Sequence, residues 1–278
     1  MSIYPGIGGT AKATSKLYLG VDGKARQLSK IYLGVDGKAR QLYASGTPLG
    51  RLAVGTKVLA GIGDPATSYA NYIVVHQGNP DASIYDASCN GTWLMRENGY
   101  TRMYFANTAN NAYPSSLVHS DLQTHLNKYN SAFRSAAKQI KIPYTTTRGY
   151  WQSVVVQKGA NGLSTKMFLP SCAELGIVGR NGIETPDYVV PDEGAKLSYF
   201  ASCPEQDADP KRVCKYNGSA AGWWTRSMFA MNAKEVQNIG STGGYHASAS
   251  AKGTQLAVRP FVVMDPTACV DEKMHIIG

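Results

Sequence analysis

The chain has 278 residues, 43% hydrophobic and 17% charged, enough apolar material for one large domain and a small appendage, which excludes wholesale disorder. Its formal charge of +9 is dispersed outside the N-terminal repeats, with no basic run interleaved with aromatics, which argues against nucleic acid as a partner. No apolar run approaches the ~18 residues that cross a bilayer, so no membrane insertion is expected, and the first six residues lack the charged-then-apolar pattern of a secretory signal.

Seventeen tyrosines and 29 glycines predict many short strands and turns rather than a helical bundle. The first element is a repeat of period 14. Residues 15–28 recur as 29–42 with one difference, Leu17 against Ile31. Each copy is an apolar run, an Asp-Gly and a second short run, the pattern of a β-hairpin with a type I′ turn at Asp22-Gly23 or Asp36-Gly37. Two such hairpins bury too little surface to stand alone, so they are expected to pack on a partner. Residues 44–50 read as a linker. The expected division is therefore an attachment segment, 1–46, and a larger domain, 47–278.

In the larger domain, residues 55–60, 70–76 and 92–96 read as strands, and His76 as a strand-end residue. Gly-Ile-Gly-Asp at 61–64 lacks the context of a phosphate cradle. Ser120 predicts a helix N-cap, followed by one helical face of Leu122, Leu126, Tyr129 and Phe133 that fades before Pro143, with His119 and His125 solvated. Residues 166–176 predict a strand running into a short helix, with Ser171 and Glu174 as a capping box and Gly176 as its stop. A loop-rich stretch follows to Pro210. Its acidic run at 205–209 lacks the calcium-loop pattern and reads as a solvated loop.

Nothing in the sequence composes a catalytic or metal site. The five cysteines form no C-x-x-C pair, and free thiols are favoured over a Cys203–Cys214 bridge. Nucleophile elbows and H-E-x-x-H are absent, so no catalytic residue, metal ligand or cofactor is assigned and the chain is not read as an enzyme.

Near the C-terminus, Gly222 to Ser227 and Ala257 to Val263 read as framework. The first carries Trp223 and Trp224; the second is a buried strand of Val258, Phe261, Val262 and Val263, with Pro260 at an edge or bulge. Between them small residues, hydroxyls, Tyr, His and Asn mix with little hydrophobic order around a turn at 240–244. That is either an ordinary exposed hairpin or a recognition segment held by a rigid frame.

Several motifs occur in a suggestive order: Tyr113-Pro114-Ser115-Ser116 with the Leu122–Leu126-Asn127 helix, Met167-Phe168-Leu169-Pro170-Ser171 with Glu174-Leu175, Trp223-Trp224-Thr225-Arg226-Ser227, and Val258-Arg259-Pro260-Phe261. Over about residues 50 to 265 this resembles a family of uncharacterised domains of gut bacteria and their phages. It is similar in pattern to C-type-lectin-like domains, which include formylglycine-generating-enzyme relatives and the variable proteins of diversity-generating retroelements. The duplicated N-terminal segment looks like pieces of phage tail or tail-fibre proteins.

The resemblance implies an α+β C-type-lectin-like fold with short strands, few helices and long loops. It also implies a phage-type receptor-binding protein on the virion tail, made in the bacterial cytoplasm. Its partners would be a host cell-surface ligand, protein or glycan, and, through the repeats, the particle or sister subunits, a homotrimer by analogy with tails. In retroelement-variable members the diversified positions precede the C-terminal framework strand and derive mostly from asparagine codons. The contacts so implied are Phe229, Asn232, Asn238, Ile239, Ser241, Thr242, Tyr245, His246, Ser248 and Ser250, on a framework of Trp223, Trp224, Arg226, Arg259 and Pro260. The sequence departs from calcium-dependent sugar binders, having only Thr185-Pro186-Asp187 where they carry Glu-Pro-Asn or Gln-Pro-Asp, and from the oxidases, having no copper-type cysteine pair. An oxidase relative or a structural tail protein without a ligand are the alternatives.

Overall fold

The computed structural model describes residues 6–7, 10–11, 17–21, 24–28, 30–35, 38–44, 46–146, 155–177, 190, 192–229 and 232–277, without the side chains of residues 6–44, 247 and 248. Strands in several sheets dominate, and two short α-helices occur among the described residues, which places the chain in the α+β class weighted towards β. No described helix is long and apolar enough to cross a membrane.

Both repeats pair as antiparallel strands. Leu17–Val21 pairs with Lys24–Leu28, closing at Val21 opposite Lys24; Lys30–Val35 pairs with Lys38–Ala44, closing at Val35 opposite Lys38. These closures flank the two Asp-Gly dipeptides, which themselves lie outside the described residues. The stretch at 47–50 is not a free linker. Thr47–Pro48 pairs with Cys269–Val270, Leu49 is fully buried, and its N–H donates to the Ala268 carbonyl at 2.7 Å.

Two five-stranded sheets form the body. In the first, the order is Met167–Phe168, Phe261–Met264, Gly91–Arg96, Ser68–Gly78, Lys57–Ile62, antiparallel throughout. Its apolar positions are continuous rather than alternating: Tyr72 through Val75, Trp93 through Met95, and Phe261 through Met264 are all buried. That is the pattern of a sheet covered on both faces. Trp93 meets Phe168 and Tyr85 edge to face at 5.7 and 5.4 Å.

In the second sheet the order is Thr101–Tyr104, Gln255–Val258, Trp223–Met228, Glu235–Ile239, Tyr245–Ser250, with a parallel contact only where Trp223 meets Ala257. The expected framework strand through Val258 and Val263 is thus two strands in two sheets. The chain changes sheet at Arg259-Pro260, and it does so again between Arg96 and Thr101. The two crossings lie side by side: the Arg96 N–H donates to the Pro260 carbonyl at 2.9 Å, the Tyr100 N–H to the Val258 carbonyl at 3.1 Å, and Arg259 Nε to the Arg96 carbonyl at 2.9 Å. Proline suits this position, since no ladder requires its missing N–H.

The expected single helix is two. Leu117–His125 begins at Ser116, not Ser120, with Ser116 Oγ accepting the His119 N–H at 3.0 Å. After a 3₁₀ turn, Leu126–Lys128, a second helix runs Ser131–Ala136, with Asn130 Oδ1 accepting the Phe133 N–H at 2.9 Å. The predicted apolar face is real, and Leu122, Leu126, Tyr129 and Phe133 are all buried. What interrupts it is capture of the backbone by the end of a strand. The Asn130 N–H donates to the Gly61 carbonyl at 2.9 Å and the Gly63 N–H to the Lys128 carbonyl at 2.8 Å. Gly61 permits the approach, since a Cβ there would lie 2.5 Å from Asn130 Nδ2. Asn130→Ala removes the cap of the second helix and is expected to cost about 1 kcal/mol, read as a lower urea midpoint at unchanged slope.

Candidate functional site

The segment of little hydrophobic order is built into the second sheet. Its last two strands, Glu235–Ile239 and Tyr245–Ser250, form a hairpin around the predicted turn at 240–244, and Tyr245–Ser250 is a sheet edge. Directly opposed residues share a face. Trp223, Ile239 and Tyr245 therefore lie on one face, and Trp224, Asn238 and His246 on the other.

That arrangement divides the implied contacts. Ser241, Thr242, His246 and Ser250 are exposed; Phe229, Asn232 and Tyr245 are half-buried. Ile239 is fully buried in the core and Asn238 is only 4% exposed. Both are corrected from contact to support residues, because the strand carrying them is interior to the sheet. The side chain of Ser248 lies outside the described residues. Neighbouring segments hold the hairpin at both ends. Asn111 Nδ2 donates to the carbonyls of Asn232 and Glu235, each at 3.1 Å. The Tyr245 N–H donates to the Gln206 carbonyl at 2.9 Å. Gly243, with φ of +84°, brings the turn so close to the 206–210 loop that a Cβ would lie 2.2 Å from the Asp209 carbonyl oxygen.

Beneath the hairpin is a buried polar frame. Arg226, 1% exposed, uses all five guanidinium N–H groups. Nη1 and Nη2 donate to the two oxygens of Glu174 at 2.6 and 2.7 Å; the others reach the carbonyls of Pro143, Leu169 and Glu193 at 3.0, 2.9 and 2.8 Å. Glu174 also accepts from Tyr85 Oη at 2.7 Å and the Ser171 N–H at 2.9 Å, while Ser171 Oγ accepts the Glu174 N–H at 3.2 Å. The predicted capping box is therefore formed, but on a tight turn, and its glutamate doubles as the counter-ion of Arg226.

Glu193 is a second buried carboxyl, accepting from Ser227 Oγ at 2.5 Å, Thr145 Oγ1 at 2.9 Å and the Thr145 N–H at 3.3 Å. Burial pushes it up to about 7, against the pull of Arg226 and of the Ser227 and Thr145 hydrogen bonds. Arg212, fully buried, donates to the carbonyls of Leu175, Asp207 and Pro204, so the acidic loop turns its backbone inwards onto a cation. Sequence reading missed Glu193 and Arg212. Arg226, however, stands in an otherwise apolar and hydroxyl run, and a charge so placed requires a buried partner.

The histidines at the first helix are not solvated as expected. Arg96 Nη1 donates to His125 Nε2 at 3.2 Å, Tyr100 stacks on the ring at 3.6 Å, and only 7% of the residue is exposed. An arginine has no acceptor to offer, so the imidazole is neutral with its proton on Nδ1. Burial, Arg96 and Lys128 push His125 down to about 3. His119 is half-buried against Tyr113. His76 Nδ1 accepts the Ser198 N–H at 3.3 Å, closing the start of a 3₁₀ turn.

All five cysteines are buried and none is in a disulfide. Burial pushes Cys89 and Cys172 up to about 12 and raises Cys203 and Cys214. Among the described residues no three His, Cys, Asp or Glu side chains converge on a metal position. Thr185-Pro186-Asp187 lies outside the described residues.

A family profile described as a domain of unknown function, DUF6273, matches residues 90–266, more than half of the chain, and the chain belongs to that family. The match runs from the Gly91–Arg96 strand to the Phe261–Met264 strand, taking in the whole second sheet and omitting the repeats and the Lys57–Ile62 and Ser68–Gly78 strands. No curated protein and no solved structure matches the chain.

Proposed function

We propose that this DUF6273 member is a phage-type receptor-binding protein with a C-type-lectin-like fold. In this reading residues 47–278 bind a host cell-surface ligand, and the N-terminal hairpins join the chain to the virion tail or to sister subunits, as a homotrimer. The observation that carries the reading is an edge hairpin presenting Ser241, Thr242, His246 and Ser250 to solvent above a wholly buried frame of Trp223, Trp224, Arg226 and Arg259. Exposed side chains on a hairpin can vary without disturbing the interior, while a fixed frame keeps their geometry. Diversification by a retroelement would then fall on exposed or half-buried positions, and Asn238 and Ile239 would stay constant.

The thiols favour this reading over an oxidase of the formylglycine-generating type. Such chemistry needs an accessible thiolate, and all five cysteines are buried, with burial raising the proton affinity of Cys89, Cys172, Cys203 and Cys214.

The test combines DNA and protein. Sequencing this locus across a population is expected to show substitutions at codons 241, 242, 246 and 250, a nearby template repeat and a reverse transcriptase. In parallel, labelled full-length protein is applied to a panel of gut bacterial cells. The triple variant S241A/T242A/H246A is expected to bind at least about tenfold more weakly, a loss of about 1.4 kcal/mol, with unchanged thermal stability. Undiminished binding by the triple variant would move the ligand site elsewhere. An invariant locus would leave a fixed-specificity adhesin, and no binding by the parent would leave a structural tail protein.

A further inference from the structure

The two buried carboxyls of the frame are not equivalent. Glu174 takes both Arg226 terminal nitrogens; Glu193 gives Arg226 only its backbone carbonyl. With all five guanidinium N–H groups engaged, none is left for the Glu193 side chain. The only ion pair of this network among the described residues is Arg226–Glu174. Among the described residues the Glu193 carboxyl, on a residue 1% exposed, is met only by two hydroxyls and one amide.

Among the described residues, the charged and titratable groups facing Glu193 are few. Arg226 approaches from the Trp223–Met228 strand, and Cys172 and Glu174 from the 171–176 turn, Glu174 already neutralised by Arg226; Tyr85 stands beyond, donating to Glu174. Its carboxylate is thus desolvated without a counter-ion of its own among the described residues, whereas the protonated form needs none.

Besides the contacts of the Glu193 carboxyl and the Arg226 bond to its carbonyl, the segment carrying Glu193 is held by the fully buried Leu197 and by two backbone amides. The Ala195 N–H donates to Tyr85 Oη at 3.0 Å and the Leu197 N–H to the Glu174 carbonyl at 3.0 Å. Asp192 sits in the left-handed region at φ of 64°, an uncommon conformation for a non-glycine residue, and makes an exposed ion pair with Lys158 at 3.0 Å.

We propose that Glu193 is a proton-operated latch: with its carboxyl protonated, residues 192–197 are held on the buried frame, and loss of that proton favours their release into solvent. The latch stands on the frame alone and holds whether or not the hairpin binds a ligand. Its sign follows from linkage. A carboxyl whose value in the closed state, about 7, lies above its ordinary 4.5 favours closure fully below pH 4.5. That preference is lost as pH rises towards 7 and changes little beyond. The segment is therefore tightest in mild acid. The population of its open form should rise on the order of 50-fold between pH 5 and pH 7.5.

Hydrogen exchange of the full chain, corrected for the intrinsic pH dependence of amide exchange, tests this at the Ala195 and Leu197 amides. The control is the Val74 amide, which donates to the Thr56 carbonyl at 2.9 Å in the first sheet. Protection at 195 and 197 should fall by that factor from pH 5 to pH 7.5 while Val74 changes far less. Glu193→Gln, neutral at every pH, should abolish the difference. Should that variant fail to fold, the wild-type carboxyl is titrated directly by carbon-13 NMR, with a midpoint near 7 expected. A midpoint near 4.5, or protection at 195 and 197 that does not change with pH, overturns the latch.

Discussion

Replacing Arg226 with methionine is expected to lower the unfolding free energy by about 3–5 kcal/mol, the usual cost of removing one partner of a buried ion pair. Methionine conserves much of the volume, so the loss is electrostatic rather than a cavity. Glu174 would be left charged in a fully buried site, and the carbonyls of Pro143, Leu169 and Glu193 would each lose a donor. Urea unfolding of R226M measures the loss. The double variant R226M/E174Q should recover at least half of it, because the uncompensated charge is gone. A single-variant loss under about 1 kcal/mol, below even the usual desolvation penalty of one unsatisfied group, would show that the network is not what holds these four segments together. Arg226→Lys should lie nearer to R226M than to the parent, since an ammonium cannot reproduce the two-pronged contact with Glu174 or reach all three carbonyls.

Trp223→Ala is the second large effect, again about 3–5 kcal/mol, with cavity formation as the cause. The indole is fully buried and its Nε1 donates to the Arg212 carbonyl at 2.8 Å. The Arg259 guanidinium lies 5.1 Å from the ring centroid. Arg259 is itself buried without a carboxylate within ion-pair distance among the described residues, so the ring's negative face is part of what accommodates its charge. Trp223→Phe keeps most of the volume and a ring face and should cost less than half as much. Equal losses for the two variants, measured by thermal and urea unfolding, would mean that the lost indole hydrogen bond and not the cavity dominates.

Together the two substitutions probe one arrangement from opposite ends. Arg226 ties the central strand of the second sheet to the 171–176 turn and the Glu193 segment. Trp223, three residues earlier on that strand, ties it to the 206–213 loop and the Arg259 crossing. The candidate hairpin hangs from the same strand. Variants in this frame should change stability first, and exposed positions such as Ser241 and His246 should change binding with little effect on stability.

Much of the architecture was legible where a local rule suffices. The period of 14, with Asp-Gly in each copy, is enough to define two hairpins, because turn chemistry and alternation act within a dozen residues. Trp223, Trp224, Phe261 and Val262 declare themselves core by type, and Ser171 with Glu174 declares a reciprocal cap by spacing. The tertiary structure decided what depends on partners distant in sequence. The apolar face from Leu122 to Phe133 has helical spacing, but Gly61 and Gly63 capture the backbone at 128–130 and break the helix in two. The run from Val258 to Val263 reads as one strand, but the chain changes sheets at Pro260 because Arg96 and Arg259 bond across the crossing. Asn238 and Ile239 have the composition of a contact surface, but their strand lies between Trp223–Met228 and Tyr245–Ser250 in the sheet, and both are buried. Glu193 gives no local sign of its state, because burial beside an arginine already saturated by other partners is what raises its proton affinity. Composition and spacing determined which residues could be interior and where turns fall; desolvation and hydrogen bonds between segments as distant in sequence as Leu49 and Ala268 decided which charges are buried and which faces are left to meet a ligand.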